Sequence, residues 1–358
     1  MKKHNFSAGP SILANNVIKE AAKSVSELNN IGLSLLEISH RSQDFIDIIN
    51  EAKRLTKKLL NISDNYEVLF LQGGASLQFY MSALNFSKQH GGGYIDTGIW
   101  SQKAIKESQK IGKTHVIASS SDNSYCYIPK KIHIDKQIDY LHFTSNNTIY
   151  GTQFHDFSNI LKNMKSEKLI CDMSSDIFSK IINVDDFDLI YAGAQKNLGP
   201  AGATLVIIKK ESITKMENLP TYLNYNTHID KESMFNTPPV FPIYVAMLTL
   251  KWIDEKGGIK FIQEKNKLKA EIMYSEIDRN NLFSGYTKIE DRSIMNATFN
   301  LKRNDLKITF ENMCREAGIN GIKGHRLIGG YRASMYNALD IESVQILTEI
   351  MKQIEKKG

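Results

Sequence analysis

Seven short apolar runs succeed one another through the middle of the chain: EVLFLQGG, GYIDTGIW, KTHVIAS, DYLHFTSNN, EKLICDMSS, FDLIYAGAQ and GATLVIIKK. Turns or stretches with helical spacing, such as SLQFYMSALNF, lie between them. Near-continuous apolar runs alternating with helices mark an α/β fold: a doubly wound, mostly parallel sheet buried on both faces. In such a sheet ligands bind beyond the carboxyl ends of the strands. The polar residues that close each run are therefore the candidates for function.

The 358 residues are more than one compact core needs, which suggests a large domain and a smaller one. After about Gly257 the pattern changes. The helical stretch IKFIQEKNKLKAEIMYSEID leads into TKIEDRSIMNATFNL, then a helix over Lys307 to Gly318 and a last one over Ile341 to Glu355. This suits a small α+β domain. The expected division is an N-terminal segment 1–15, a large domain 16–257 and a small C-terminal domain 258–358.

Several function classes are excluded early. The net charge of +6 is spread along the chain with no basic stripe, so no nucleic-acid partner is expected. No apolar run approaches the ~20 residues of a membrane helix. MKKHNFSAGP lacks the apolar stretch of a signal peptide. Cys126, Cys171 and Cys314 show no CxxC spacing and read as reduced thiols, which places the chain in the cytoplasm.

The run ends share one chemical theme. EVLFL ends at Gly73, Gly74, Ala75 and Ser76, followed by a helix; small residues at a helix N-terminus favour a phosphate. GYIDTGIW ends at Trp100, a ring that could stack on another ring or fill core. DYLHFTSNN ends at Asn147 and Thr148, whose polar groups are expected in the same crevice. LICDMSSD puts Asp172 directly after an apolar run, where a carboxylate needs a cation or strong donors. FDLIYAGAQ ends at Gln195 and Lys196. A lysine desolvated there can lose its proton near neutral pH and form an imine with an aldehyde. Pyridoxal phosphate (PLP) requires that lysine, an acid opposite its ring nitrogen, a phosphate cradle and a stacking side chain. Lys196, Asp172, Gly74-Ala75-Ser76 and Trp100 could supply all four. His40-Arg41 and His325-Arg326 with Arg332 lie outside obvious charge runs, and arginine forks match carboxylate and phosphate.

With those residues in view, the chain resembles the phosphoserine aminotransferases, fold-type-I PLP enzymes of the class V aminotransferase superfamily. The likeness covers essentially the whole chain: NFSAGPSIL, LLEISHRSQDF, FLQGGASLQF, GIWSQKA, SNNTIYGTQF, CDMSSD, YAGAQKNLGPAG, FNTPPVFPIY and GHRLIGGYRASMYNA. It implies Lys196 as the imine lysine, Asp172 as partner of the pyridine nitrogen and Trp100 as ring stacker. Ala75, Ser76, Thr148 and Gln195 are implied as cofactor contacts, with Gln195 near the phosphate. Asn236 and Thr237 are implied to reach the cofactor phosphate of the neighbouring subunit, hence a homodimer with shared sites. His40, Arg41, His325, Arg326 and Arg332 are implied as the pocket for small anionic substrates: glutamate, phosphoserine and phosphohydroxypyruvate. No metal is implied. Some members carry an arginine where Ser76 stands; this chain follows the Ala-Ser branch. The implied reaction moves the amino group of glutamate to 3-phosphohydroxypyruvate in serine biosynthesis, with a longer phosphorylated oxo acid of the vitamin B6 route as a further substrate.

Two other readings fit the same fold. A cysteine desulfurase needs a nucleophilic cysteine on a loop and a histidine before the imine lysine; here Gln195 stands there, and Cys126 is the one cysteine in a plausible loop. A silent cofactor-binding scaffold would have lost the lysine or the acid, and both are present.

Overall fold

The computed structural model describes residues 2–165, 167–213 and 218–357. Met1 and Gly358, the outer ends of the expected terminal segments, lie outside the described residues. Every one of the seven apolar runs forms a strand of one sheet: β1 (Tyr66–Leu71), β2 (Gly92–Asp96), β3 (Thr114–Ser119), β4 (Tyr140–Thr144), β5 (Lys168–Asp172), β6 (Leu189–Gly193) and β7 (Thr204–Lys209). Their spatial order is β1-β7-β6-β5-β4-β2-β3. Only β7 runs antiparallel to its neighbours, β1 and β6; β6, β5, β4, β2 and β3 pair in parallel. The connection 194–203 is too short to carry the chain back for a parallel crossover, so β7 must reverse.

Successive side chains of each strand enter different layers, as the two-residue period requires. Phe70, Leu141, Phe143, Cys171, Ile190 and Leu205 pack with helices α1 (Asn15–Ser26), α2 (Gln43–Leu60) and, further along the chain, Val240–Glu255. Leu69, Tyr94, Tyr140, Ile170, Tyr191 and Val206 pack on the other face against α3 (Gly74–Phe86) and α4 (Ile99–Ile111). α2 shows why these segments are helices. Its buried residues Phe45, Ile48, Ile49, Ala52, Leu55 and Thr56 recur every three or four positions. It stops at Asn61, which takes the left-handed conformation (φ +52°) as its N–H caps the last carbonyls.

Beyond α5 (Val240–Glu255), a second cluster forms on a three-stranded antiparallel sheet, β8 (Phe283–Gly285), β9 (Asn296–Leu301) and β10 (Tyr331–Ser334). Helices α6 (Gly258–Arg279), α7 (Lys307–Glu316) and α8 (Ile341–Glu355) cover it through Met273, Phe310, Val344 and Leu347. α7 ends two residues earlier than its pattern predicts, because Gly318 sits at φ +78°. The N-terminal segment packs onto this second cluster: His4–Asn5 pair in parallel with Ile319–Asn320, and Phe6 is buried in it. Among the described residues no helix is long and apolar enough to cross a membrane, and all three cysteines are free.

Candidate active site

The carboxyl ends of β4, β5 and β6, the start of α3 and residues of the C-terminal sheet enclose a cavity of about 330 Å³. Asp172, the last residue of β5, is buried on its wall. Its Oδ1 accepts the backbone N–H of Ser174 at 2.9 Å. Burial raises the pKa of this carboxyl, and the Ser174 hydrogen bonds and the Lys196 charge oppose that rise. A carboxylate so placed calls for a cation in the cavity.

Lys196 lies on the turn three residues past β6. Its Nζ donates to Thr148 Oγ1 at 2.7 Å and stands 5.5 Å from the centre of the Trp100 ring. Burial pushes its pKa down to about 8; Asp172 resists the shift, and the Arg332 charge adds to it. The N-terminal segment fixes this turn from outside: Ser11 N–H donates to Gln195 O at 3.0 Å and Ser11 Oγ to Lys196 O. Glycine suits position 9, which packs against Lys196 Cγ, because its φ of +143° is a backbone conformation that side-chain-bearing residues rarely adopt.

α3 opens at Gly74, after Gly73 at φ +89°. The N–H groups of its first turn have no acceptor within the helix and carry the positive end of its dipole. Gly74, Ala75 and Ser76 all line the cavity, and a Cβ on Gly74 would meet nothing within 4 Å. An anion therefore has both the donors and the room. Trp100 lines the same space, but not from a strand end. β2 stops at Asp96, and Ser101 Oγ accepts the N–H of Thr97 and Gly98 at 2.9 and 3.0 Å, turning the chain into α4. Trp100 sits in the first turn of that helix, with its Nε1 buried and unpartnered among the described residues.

Arg332, on β10, reaches the cavity through Nη1, which donates to Thr148 O at 3.2 Å. Its Nε is buried without a partner among the described residues. Half-buried His325 lines the mouth; burial, then Arg332, Arg326 and Lys103, hold its pKa below the usual value.

The structure thus brings Ala75, Ser76, Trp100, Thr148, Asp172, Gln195, Lys196, His325 and Arg332 around one cavity. It leaves His40, Arg41, Arg326, Asn236 and Thr237 outside that lining. Arg41 and Arg326 are exposed, and Asn236 and Thr237 bond to Gln72, by Asn236 Nδ2 to its Oε1 (3.2 Å) and by Thr237 O from its Nε2 (2.9 Å). Asn147, expected in the crevice, turns away to Thr97 Oγ1 (3.1 Å), and its neighbour Asn146 takes the place. Ala8, Phe79, Ser174 and Ser175 also line the cavity without having been singled out. Ala8, Ser174 and Ser175 stood in the quoted motifs NFSAGP and CDMSSD, but small residues carry no chemical signal of their own. Cys126 is not part of the lining, which removes the nucleophile that a desulfurase requires.

A buried acid, a depressed amine, an indole ring and a helix N-terminus on one cavity fit a flat, anionic, aldehyde-bearing cofactor. The family model for class-V aminotransferases matches residues 3–347. The chain belongs to the class-V aminotransferase family. This aminotransferase is 52% identical, over the full length of both chains, to a protein named phosphoserine aminotransferase from Flavobacterium psychrophilum. The phosphoserine aminotransferase structure from Bacillus circulans subsp. alkalophilus superposes with a TM-score of 0.95 at 41% identity, covering 99% of each chain. The PLP-bound phosphoserine aminotransferase from Trichomonas vaginalis does so with a TM-score of 0.91 at 34% identity, covering 98% of this chain and 100% of that one.

Proposed function

We propose that this aminotransferase uses PLP to transfer the amino group of glutamate to 3-phosphohydroxypyruvate, giving phosphoserine and 2-oxoglutarate in serine biosynthesis. The observation that carries the reading is Lys196 Nζ, depressed in pKa and 2.7 Å from the Thr148 hydroxyl, in one cavity with buried Asp172. When bound, PLP supplies an electron sink for the pair left behind as the substrate Cα–H bond breaks. Asp172 would hold a proton on the cofactor's ring nitrogen. The first-turn N–H groups of α3, with Ser76 and Gln195, would hold its phosphate, and Trp100 would cover its ring. Lys196 Nζ would hold the cofactor and take up the proton released from the substrate α-carbon. Thr148 Oγ1, already bonded to that nitrogen, keeps it aimed into the cavity.

Arg332 is assigned to the substrate α-carboxylate, because its buried fork lines the cavity and donates to Thr148 O at 3.2 Å, beside the Thr148 hydroxyl that holds Lys196. His40, Arg41, His325 and Arg326 are assigned to the distal anion. Asn236 and Thr237 serve the cofactor phosphate of a second copy, which accounts for their distance from their own cavity and makes the enzyme a homodimer with shared sites. The chain divides into a segment 1–15, a large domain 16–257 and a small domain 258–358, and it works in the cytoplasm, where its free thiols stay reduced. The longer phosphorylated oxo acid of the vitamin B6 route presents the same two anions and is a further substrate.

Half-reaction rates for phosphoserine, glutamate and alanine test the assignment. Each charge-assisted contact contributes roughly 1.5–3 kcal/mol, so Arg332→Ala should lower kcat/KM for all three about 10–150-fold. Arg326→Ala should do so for phosphoserine and glutamate only, since alanine has no distal anion. Equal slowing of alanine by Arg326→Ala would remove the chemical basis for a phosphorylated substrate.

A further inference from the structure

Lys269, on α6, is fully buried (0% exposed), and no carboxylate pairs with it among the described residues. Its Nζ instead donates to two backbone carbonyls, Met335 O at 2.8 Å and Tyr336 O at 2.7 Å. A neutral amine has two N–H donors, and two carbonyls satisfy it; an ammonium would have a third to place. Burial holds the Lys269 pKa well below the lysine range, with the Lys265 charge adding and Asp340 opposing. An apolar side chain of the same length would fill this space at less cost, but among the described residues it would leave Met335 O unpaired and Tyr336 O with the N–H of Leu339 alone, at 2.9 Å.

Those carbonyls belong to the bend where the chain leaves β10, just after Arg332. The same bend touches the rest of the site. Tyr336 OH donates to Ala8 O at 2.7 Å, and Ala8 lines the cavity. Asn337 N–H donates to the side chain of Asn197, the residue after Lys196, at 3.0 Å. Asn337 Nδ2 donates to Phe178 O at 3.0 Å, on the loop that follows Asp172, and Asn266 of α6 holds the Asn337 carbonyl oxygen Oδ1 at 2.8 Å. Residues 335–337 therefore join the arginine strand, the lysine turn and the acid loop, and α6 ties them down.

We infer that Lys269 is a positioning residue for the reaction: by capping Met335 O and Tyr336 O it sets Arg332 against the turn that carries Lys196. The inference rests on the roles given above to Arg332 and Lys196. The test compares Lys269→Met, which keeps the stem and removes both donors, with the parent, Arg332→Ala and the double variant, all loaded with PLP. Misplacement by a fraction of an ångström should lower kcat/KM on the order of ten- to a hundred-fold, alike for phosphoserine, glutamate and alanine. The loss should largely vanish in the Arg332→Ala background, because a positioning effect has nothing left to position. A purely structural role would add in full. If Lys269→Met does not fold, Asn337→Ser breaks the same connection from its other end and should show the same non-additivity. Rates within twofold of the parent, or a loss that adds in full onto Arg332→Ala, would overturn the inference. Absent turnover of phosphoserine by the parent would instead count against the proposed substrate, and the alanine half-reaction would still judge Lys269.

Discussion

At the scale of single residues, the amine at the cavity wall has a sign that can be tested. With its pKa pushed down to about 8, Lys196 is a free base above that pH. Covalent capture of added PLP should therefore rise with pH up to about 8 and level off beyond it. Arg332→Ala removes a cation that depresses the amine, so the midpoint should move up. Asp172→Asn removes an anion that favours the ammonium, so it should move down. Capture rates across a pH series check all three, and a parent midpoint near 10.5, the ordinary lysine value, would show a solvated amine. Linkage gives the same sign: the folded chain binds fewer protons than the unfolded one between about 8 and 10.5, so this group's contribution to stability grows as pH rises through that window. Lys196 and Asp172 were legible in sequence because a charge beside an apolar run is costly and hence informative. Asn146, Ser174 and Ala8 were not, since their part depends on which way a turn points them.

At the scale of elements, the apolar runs fixed the strands, and a strand end needs only a polar residue to be noticed. Trp100 escaped that logic. Its run reads as continuous through Ile99, yet Gly98 at φ +147° and the Ser101 cap start a helix inside it. The reversal of β7 was likewise hidden, since an apolar run carries no direction; only the shortness of 194–203 supplies one. The entry to α3 depends on Gly73 at φ +89°, where a Cβ would lie 2.5 Å from Leu77 Cδ2. Gly73→Ala should cost about 1–2 kcal/mol for the left-handed backbone and swing the first-turn N–H groups off the cavity. Titration with PLP should show weaker binding together with a lower Tm. Gly112→Ala, at an extended position with nothing within 4 Å, should change neither and serves as the control.

At the scale of the whole molecule, the proposed sharing of sites between two copies makes a prediction of its own. The pairing of His4–Asn5 with Ile319–Asn320 was not legible either, because a two-residue pairing leaves no pattern in sequence. If Asn236 and Thr237 of one copy serve the cofactor of the other, two defective variants should complement each other. Lys196→Ala and the pair Asn236→Ala with Thr237→Ala, each weak alone, should regain activity after mixing under conditions that exchange subunits, because one site of the hybrid is whole. Activity in mixtures equal to the sum of the parts, or sedimentation showing an active monomer at assay concentration, would contradict shared sites.

The most direct measurement is where the cofactor attaches. The PLP-loaded protein is reduced with borohydride, digested, and the modified peptide located by mass. The expected result is a single added cofactor on the peptide carrying Lys196, with none after the same treatment of Lys196→Ala. Attachment to another lysine, such as Lys103 at the Trp100 ring or Lys269 in the core, or a covalent cofactor that persists in Lys196→Ala, would contradict the assignment of this cavity as the catalytic centre.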